Sequence, residues 1–197
     1  DCIKTLESGD FINMSVYSNK EDLKIIQSFQ LLTAKPIFFI ANVSDTDSSR
    51  ENLNNLLEYA KKMNQEVIEV QIKLEEEIAS LEEQDKKDFL ELEGIEEPAL
   101  NKIIKKGYEI LGLDTFFTAG PNELRAWTLK KGSLAPQAAG RIHTDFERGF
   151  IKAEIISFED YISFGGEAGS KENGKLRLEG KDYIFKDGDI AHFKFNV

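Results

Sequence analysis

The residues best suited to chemistry in the first half of the chain form the string Asn42-Val43-Ser44-Asp45, which overlaps the end of an apolar run over residues 37–43. Such a run predicts a strand buried on both faces of a parallel sheet, and ligands bind at the carboxyl ends of these strands. There, the Asn42 amide can donate to and accept from the edge of a nucleotide base, and Val43 can pack against the flat face of the ring. An ordinary strand end, with Asn42 or Asp45 capping the loop, explains the same string, so both interpretations stay open.

A second string, His143-Thr144-Asp145, places an imidazole beside a carboxylate, which suits acid–base chemistry or metal binding. His192 is the only other histidine, and no serine or cysteine nucleophile is visibly paired with either of them. The sequence also lacks the motifs GxxxxGKS/T, CxxC and HExxH, so it carries no phosphate cradle of its own. We therefore predict structural or surface roles for His143 and Asp145, no catalytic residue and no metal ligand.

The second half contains a set of basic residues with Trp127, Phe146 and Tyr183 among them, and together they could form a face that contacts the phosphates of an RNA. The near-neutral charge of residues 113–197 favours the alternative, which is a mixed, solvated surface. The residues that we predict as RNA or ribosome contacts are Arg125, Lys152, Lys175 and Arg177.

Composition narrows the class of protein. The chain has 197 residues and a hydrophobic fraction of 41%, which is enough for globular cores. A net charge of -11 argues against a surface built for DNA, and no apolar stretch reaches the length of a membrane span. The single cysteine, Cys2, cannot form an intrachain disulfide and fits a reducing, cytoplasmic compartment. The first residues begin within a predicted helix and without a methionine, so we expect a cut end there.

The periodicity of apolar residues predicts two kinds of architecture, with a boundary near residue 112. Before it, strands over residues 37–43 and 67–72 flank a helix over 51–64 and form one βαβ unit. Helices are also predicted over residues 1–8, 19–34, 74–90 and 97–111. After it, short strands and hairpins predict a small mixed sheet crossed by a helix, of the β-grasp kind. Its elements are a hairpin of residues 115–119 and 123–129, a strand over 150–156, a helix over 158–164 and a second hairpin of 183–185 and 190–195.

Several long strings give the second half a specific resemblance to a known family. They are residues 113–120 (LDTFFTAG), 123–128 (ELRAWT), 135–140 (APQAAG), 142–151 (IHTDFERGFI), 179–183 (EGKDY) and 187–190 (DGDI). With them the sequence strongly resembles the YchF or Obg-like ATPase family, and the match extends from about residue 20 to residue 197.

The resemblance implies an α/β plus α+β fold, in which the C-terminal fragment of a P-loop GTPase-like α/β domain is joined to a β-grasp (TGS, ubiquitin-like) domain. Residues 1–34 would end a helical coiled-coil insertion and its return helix. Residues 35–112 would be the C-terminal part of the nucleotide-binding domain, and residues 113–197 the TGS domain. The intact protein would be a ribosome-associated ATP hydrolase in the cytoplasm, and this fragment alone would be inactive. The alternative is a non-enzymatic TGS module that binds RNA or protein.

The resemblance also implies that Asn42, Val43 and Asp45 bind the base. Translational GTPases use Asn-Lys-x-Asp, whereas this family has an apolar residue for Lys and usually Glu for Asp, a change associated with ATP use. Val43 fits the family, but Asp45 can accept from guanine, so both ATP and GTP stay open as partners. The loop Gln71-Ile72-Lys73-Leu74 departs from the small residues usual there and could narrow the pocket. The ligands of the Mg²⁺ that accompanies ATP would lie in the missing N-terminal part.

Overall fold

The computed structural model describes residues 2–44, 46–120 and 123–196. The chain divides into two compact units, Asp1–Lys105 and Lys106–Val197. None of the helices in the described ranges is long and apolar enough to cross a membrane. The finer division at residues 34 and 112 stays a prediction.

The first unit contains one βαβ motif among several helices. Strand β1 and strand β2 are parallel and pair in register from Phe39↔Val67 to Asn42↔Val70. Its elements are α1 (Cys2–Glu7), α2 (Lys20–Ser28), β1 (Phe39–Asn42), α3 (Asp47–Lys62), β2 (Val67–Val70), α4 (Ile72–Ser80), α5 (Glu83–Leu92) and the first half of α6 (Ala99–Leu111), with 3-10 turns at Met14–Val16 and Leu32–Ala34. The residues of α6 from Lys106 onward belong to the second unit. The predicted βαβ unit is therefore confirmed.

A small core holds β2 against the start of α6. Ile68, Val70 and Ala99 are buried together, and Phe38 and Ile103 pack against them. The carboxylate of Glu75 accepts from the main-chain N–H groups of Ala99 at 2.7 Å and of Leu100 at 3.3 Å. Because the first N–H groups of a helix have no partner within it, this carboxylate stabilises the start of α6.

Three features of the first unit differ from the prediction. Helix α2 ends at Ser28 rather than near residue 34, because Gln30 adopts a positive φ of 51° and breaks the helical path. The predicted helix over 74–90 is two helices, since Leu81 and Glu82 are extended between them. Strand β1 is not buried on both faces: Ile40 is 50% exposed, because β2 is the one strand that pairs with β1 in the described part of the chain.

The second unit is a five-stranded mixed sheet with helices. Its strand order is β4-β3-β7-β5-β6, in which β3 and β7 are parallel and the other neighbours are antiparallel. The elements are β3 (Leu113–Ala119), β4 (Leu124–Lys130), α7 (Ala135–Ile142), α8 (Thr144–Arg148), β5 (Phe150–Ile156), α9 (Phe158–Ser163), α10 (Glu167–Glu172), β6 (Arg177–Glu179) and β7 (Ile190–Phe195). This is the predicted mixed α/β character, with a helix packed on a small sheet.

The core of the second unit lies between one face of the sheet and helix α7. Ala135, Ala138 and Ala139 on the helix are fully buried, and their small side chains allow the helix to approach the sheet closely. Phe116 on β3 is also fully buried and contacts the rings of Trp127, Phe185 and Phe193. Residues 135–142, which the sequence leaves unassigned, thus supply the helical half of this core.

The second predicted hairpin is wrong. Residues 183–185 do not pair with β7; instead, Ile184 forms an isolated bridge with Leu134. The main chain of this segment bonds to the start of α7, from Ala135 N to Tyr183 O at 2.9 Å and from Phe185 N to Ser133 O at 3.0 Å. Strand β7 lies between β3 and β5. The β3–β4 hairpin is confirmed, although Pro121 and Asn122 of its predicted connection lie outside the described residues.

Candidate functional site

The structure places Asn42 where the two parallel strands of the first unit end. It is the last residue of β1, its side chain is exposed, and its Oδ1 accepts a hydrogen bond from the main-chain N–H of Ile72 at 3.4 Å. Ile72 is the first residue of α4, and only Gln71 separates it from the end of β2. The amide therefore links the loops that follow the two strands, and its Nδ2 makes no hydrogen bond to another described residue.

Val43 continues the pairing one residue beyond β1, since its N–H donates to Val70 O at 2.8 Å. Its side chain is half-buried beside the loop. Asp45, the third residue predicted to contact the base, lies outside the described residues. The structure thus positions two of the three predicted base-binding residues at the carboxyl end of a parallel strand, which is where ligands bind in open α/β sheets.

Hydroxyl groups hold the loop that follows Val43. The N–H of Ser44 donates to Ser49 Oγ at 2.9 Å, and Thr46 caps α3 by accepting from the N–H of Ser49 at 3.3 Å. Ser44 Oγ and Thr46 Oγ1 lie 3.2 Å apart. The sequence-based interpretation missed these residues, although the Ser/Thr-rich composition of residues 44–49 is a signal for such a cap.

A cleft of about 430 Å³ lies beside the end of β1 and the start of α3. Asn42, Ser44, Thr46 and Ser49 contribute polar groups to it, and Ile40 and Leu53 contribute apolar ones. Among its described lining residues there is no carboxylate, lysine or arginine. The cleft can offer amide and hydroxyl hydrogen bonds to a flat polar ligand, but these residues do not suit a triphosphate or Mg²⁺.

His143 has a structural role in the second unit. Its Nδ1 accepts from the main-chain N–H of Asp145 at 3.2 Å and so caps helix α8. Nδ1 also lies 3.4 Å from Asp145 Oδ2, and His143 is exposed whereas Asp145 is half-buried. This arrangement satisfies a free N–H at the helix start and explains why a histidine and an aspartate are close in sequence.

Arg125 lies on β4, where its guanidinium carbon is 4.2 Å from the centroid of the Trp127 ring. The indole Nε1–H of Trp127 donates to Thr118 Oγ1 at 2.9 Å, which fixes the ring in place. Arg125 is also 3.9 Å from a carboxylate oxygen of Glu123. The arginine is exposed but lies over the face of an aromatic ring, a position that stabilises a cation at a surface.

Lys175 precedes β6 and is already ion-paired. Its Nζ lies 3.2 Å from Asp160 Oδ1 and 5.7 Å from the centroid of the Phe164 ring. A hydrogen bond from Ser157 Oγ, assisted by Lys175, lowers the pKa of Asp160 below its ordinary value. Lys175 therefore helps to hold helix α9 to the segment before β6.

Arg177 takes part in a buried polar network centred on Asp189, which is only 2% exposed. The Tyr183 hydroxyl and the Lys186 main-chain N–H donate to Asp189 Oδ2 at 2.7 and 3.0 Å. Arg177 Nη2 lies 3.6 Å from Asp189 Oδ1 and donates to the Tyr183 hydroxyl oxygen at 3.2 Å. Burial, together with the hydrogen bond to Asp189, raises the pKa of Tyr183 well above its ordinary value. Arg177 thus has a structural partner inside the unit.

Lys152 on β5 differs from the other three predicted contact residues. It is exposed, pairs across the strands with Lys194, and makes no salt bridge with any residue in the described ranges. The four residues do not form one patch: Arg125 and Arg177 lie on the two opposite edge strands, and Lys152 lies on an inner strand. Lys152 is therefore the most available of the four to an external phosphate.

Comparison with known proteins gives consistent matches. Residues 113–196 match the family model described as YchF-GTPase_C, protein of unknown function (DUF933). The chain is 52% identical over 187 residues to the "Ribosome-binding ATPase YchF" of Bacillus subtilis, covering 93% of this chain and 51% of the relative. It is 51% identical over 197 residues to the protein of the same name from Haemophilus influenzae, covering 99% and 54%. The chain spans about half the length of the curated relatives that it matches.

A solved structure agrees with these matches. The structure of the Schizosaccharomyces pombe YchF GTPase superposes with a TM-score of 0.77 at 34% sequence identity, covering 90% of this chain and 48% of that chain. The sequence and structure matches therefore extend over both compact units. Nearly the whole chain is therefore similar to the C-terminal part of YchF proteins, and residues 113–196 match the model of that family's C-terminal domain.

Proposed function

We propose that this chain is the C-terminal part of a ribosome-associated nucleotide hydrolase, in which Asn42, Val43 and Asp45 bind the base of ATP or GTP. The observation that carries the proposal is the bond from Ile72 N–H to Asn42 Oδ1, which joins the loops after two adjacent parallel strands. The Asn42 side chain is exposed and its Nδ2 bonds to no other described residue, so a base edge can bind there. The names of the relatives, ribosome-binding ATPase, support the same activity.

The phosphates and Mg²⁺ are bound by residues outside this chain in the proposed protein. The described residues lining the cleft lack the charged groups that a triphosphate and a magnesium ion need, and the sequence has no GxxxxGKS/T motif. When bound, Mg²⁺ would neutralise the charge that develops on the phosphates during hydrolysis. The residues of this chain orient the base, and the hydroxyl cluster of Ser44, Thr46 and Ser49 holds their loop in place.

Measurements of nucleotide hydrolysis test whether the phosphates and Mg²⁺ are bound by residues outside this chain. We expect the 197-residue chain to show no hydrolysis of ATP or GTP, whereas a longer version of the protein that includes the preceding residues should hydrolyse nucleotide. Phosphate release measured side by side for the two proteins is the appropriate assay. Turnover by the purified 197-residue chain above the background of a no-protein sample would contradict the proposal.

Replacing Asn42 with alanine should weaken nucleotide binding by the longer protein by about 10- to 100-fold, because a base hydrogen bond and the anchor to Ile72 are both lost. Isothermal titration calorimetry with ATP and with GTP measures the loss and shows which base the site prefers. Asn54→Ala is the matched control, since Asn54 is exposed on α3 and is not among the residues lining the cleft. Equal affinities for the Asn42 and Asn54 variants would rule out a base contact by Asn42.

We further propose that residues 113–197 form a TGS domain that contacts the ribosome, and that the protein acts in the cytoplasm. A five-stranded sheet with its own aromatic core under α7 supports a unit that folds and binds as one piece. The domain boundaries that accompany this proposal are residues 1–34, 35–112 and 113–197. We assign phosphate contact to Lys152, which is exposed and makes no salt bridge with any residue that the structure describes.

Replacing Lys152 with glutamate should weaken ribosome binding. The slope of log affinity against log salt concentration should become shallower by the amount that one phosphate contact contributes, which is about one. Co-sedimentation with ribosomes at several salt concentrations measures both. Lys87→Glu makes the same charge change on the exposed face of α5 and should have little effect. If both variants sediment like the unmodified chain, Lys152 belongs to a solvated surface.

A second candidate function is a non-enzymatic interaction module. The separate core of the second unit favours it, because that unit does not need a nucleotide to complete its sheet. The two candidates differ in one measurable way. Ribosome binding that is identical with and without ATP or GTP in the longer protein favours the interaction module, whereas a nucleotide-dependent affinity favours the nucleotide hydrolase.

A further inference from the structure

Three metal-ligating side chains from three separate elements meet in the second unit. Glu154 on β5 and His192 on β7 are a directly opposed cross-strand pair, and Glu167 is the first residue of α10. One ligand atom from each, a carboxylate oxygen or an imidazole nitrogen, lies within 4.8 Å of the other two. Two ligands of a tetrahedral ion at bond lengths of about 2.1 Å lie about 3.4 Å apart, so the three side chains would have to draw closer together to bind one ion.

A small cavity coincides with this cluster. Its volume is about 10 Å³, close to that of a single water-sized sphere, and the walls include all three side chains. Ile156, Leu176 and Ile190 close its apolar side. A space of this size beside three converging donors can hold an ion or one water, and it is too small for an organic ligand.

The charges around the cavity leave two of the three donors without a partner. Lys194 Nζ lies 3.3 Å from Glu154 Oε2. Within the described part of the chain, the side chains of His192 and Glu167 make no hydrogen bond or salt bridge. Two carboxylates therefore face one lysine, so a divalent cation would add the missing positive charge. Because the third donor is an imidazole, the set suits Zn²⁺ and similar first-row ions better than Mg²⁺ or Ca²⁺.

We propose that Glu154, Glu167 and His192 bind a first-row divalent metal ion of the Zn²⁺ type and thereby join β5, β7 and α10. With three protein ligands, a fourth position stays available to water. This site lies in the second unit and does not depend on the proposed nucleotide function. It differs in donor chemistry from the Mg²⁺ that accompanies ATP, since that ion prefers oxygen ligands.

Calorimetric titration of Zn²⁺ into the 197-residue chain, with Co²⁺ absorption spectroscopy as a second probe, tests the proposal. We expect one site, a visible Co²⁺ spectrum that Zn²⁺ displaces, and no competition from millimolar Mg²⁺. Two variants each remove one proposed ligand, His192→Ala and Glu167→Gln. Each should weaken Zn²⁺ binding by about 100-fold. His192 and Glu167 are both exposed, so the variants should fold, which circular dichroism checks.

The control variant is His143→Ala, which removes the only other histidine together with its neighbouring carboxylate contact. It should leave the Zn²⁺ affinity within about twofold of that of the unmodified chain. Absence of saturable Zn²⁺ binding would overturn the proposal. So would equal affinities in the unmodified chain and the His192 variant, since the ion would then bind adventitiously elsewhere on an acidic surface.

Discussion

Replacing Asp189 with alanine is expected to destabilise the second unit by about 3 kcal/mol. The carboxylate is almost fully buried and accepts from the Tyr183 hydroxyl and the Lys186 main chain, while Arg177 lies at 3.6 Å. Alanine leaves these donors without an acceptor inside the unit. The cost is therefore mainly that of unsatisfied buried polar groups, which exceeds the net contribution of a single hydrogen bond.

Urea denaturation followed by tryptophan fluorescence measures this loss. Trp127 is the only tryptophan and packs on Phe116 in the core, so its signal reports the second unit alone. Tyr183→Phe removes one hydroxyl, which donates to Asp189 and accepts from Arg177, but it keeps the buried carboxylate, so it should cost only about 1 kcal/mol. Asp182→Asn, at an exposed position in the same connection, should change the free energy of unfolding by less than about 0.5 kcal/mol. If the Asp189 variant loses no more free energy of unfolding than the Asp182 variant, the polar network contributes no stability.

Replacing Gly149 with alanine should destabilise the same unit by about 2–3 kcal/mol. Gly149 joins α8 to β5, and its carbonyl accepts from the N–H of Asn196 at 2.9 Å. A β-carbon added there would overlap the main-chain carbonyl of Asn196. Because the obstructing atoms are backbone rather than a flexible side chain, the strands must separate before alanine fits.

Gly107→Ala is the control, and it should raise the free energy of unfolding rather than lower it. Gly107 lies within α6, and a β-carbon there would meet nothing within 4 Å. Alanine should therefore stabilise the helix by about 0.5–1 kcal/mol through its higher helix propensity. Trp127 fluorescence in urea reports both variants. Equal free energies of unfolding for the two variants would contradict the steric argument at Gly149.

Much of the fold follows from local sequence patterns. The strand predicted over residues 150–156 is β5, and the βαβ unit forms where the apolar run and the following helix indicate it. The pattern fails where pairing partners are distant. Residues 183–185 resemble a strand next to a turn, yet they bond to the segment before α7, because β7 completes its hydrogen bonds with β3 and β5. Alternation of side chains predicts a strand but does not identify its neighbour.

In the candidate sites too, the sequence predicts the position of a residue but not its distant partners. The position of Asn42 at the end of a strand is predictable from its apolar run, whereas its contact with Ile72 joins two residues that are 30 positions apart in the sequence. A count of cations identifies Arg177 and Lys175 but not their partners Asp189 and Asp160, which only the folded sheet brings close. Glu154, Glu167 and His192 are likewise scattered over three elements and form no sequence motif.

The central position of β7 has a consequence for how the nascent chain folds. β7 is the latest strand in chain order, yet it lies between β3 and β5 and connects the β4–β3 pair to the β5–β6 pair. Because translation proceeds from the amino end, the sheet stays in two separate halves until residues 190–195 have left the ribosomal tunnel. We therefore expect the second unit to fold only after its synthesis is nearly complete, with the apolar residues of both halves exposed to chaperones until then.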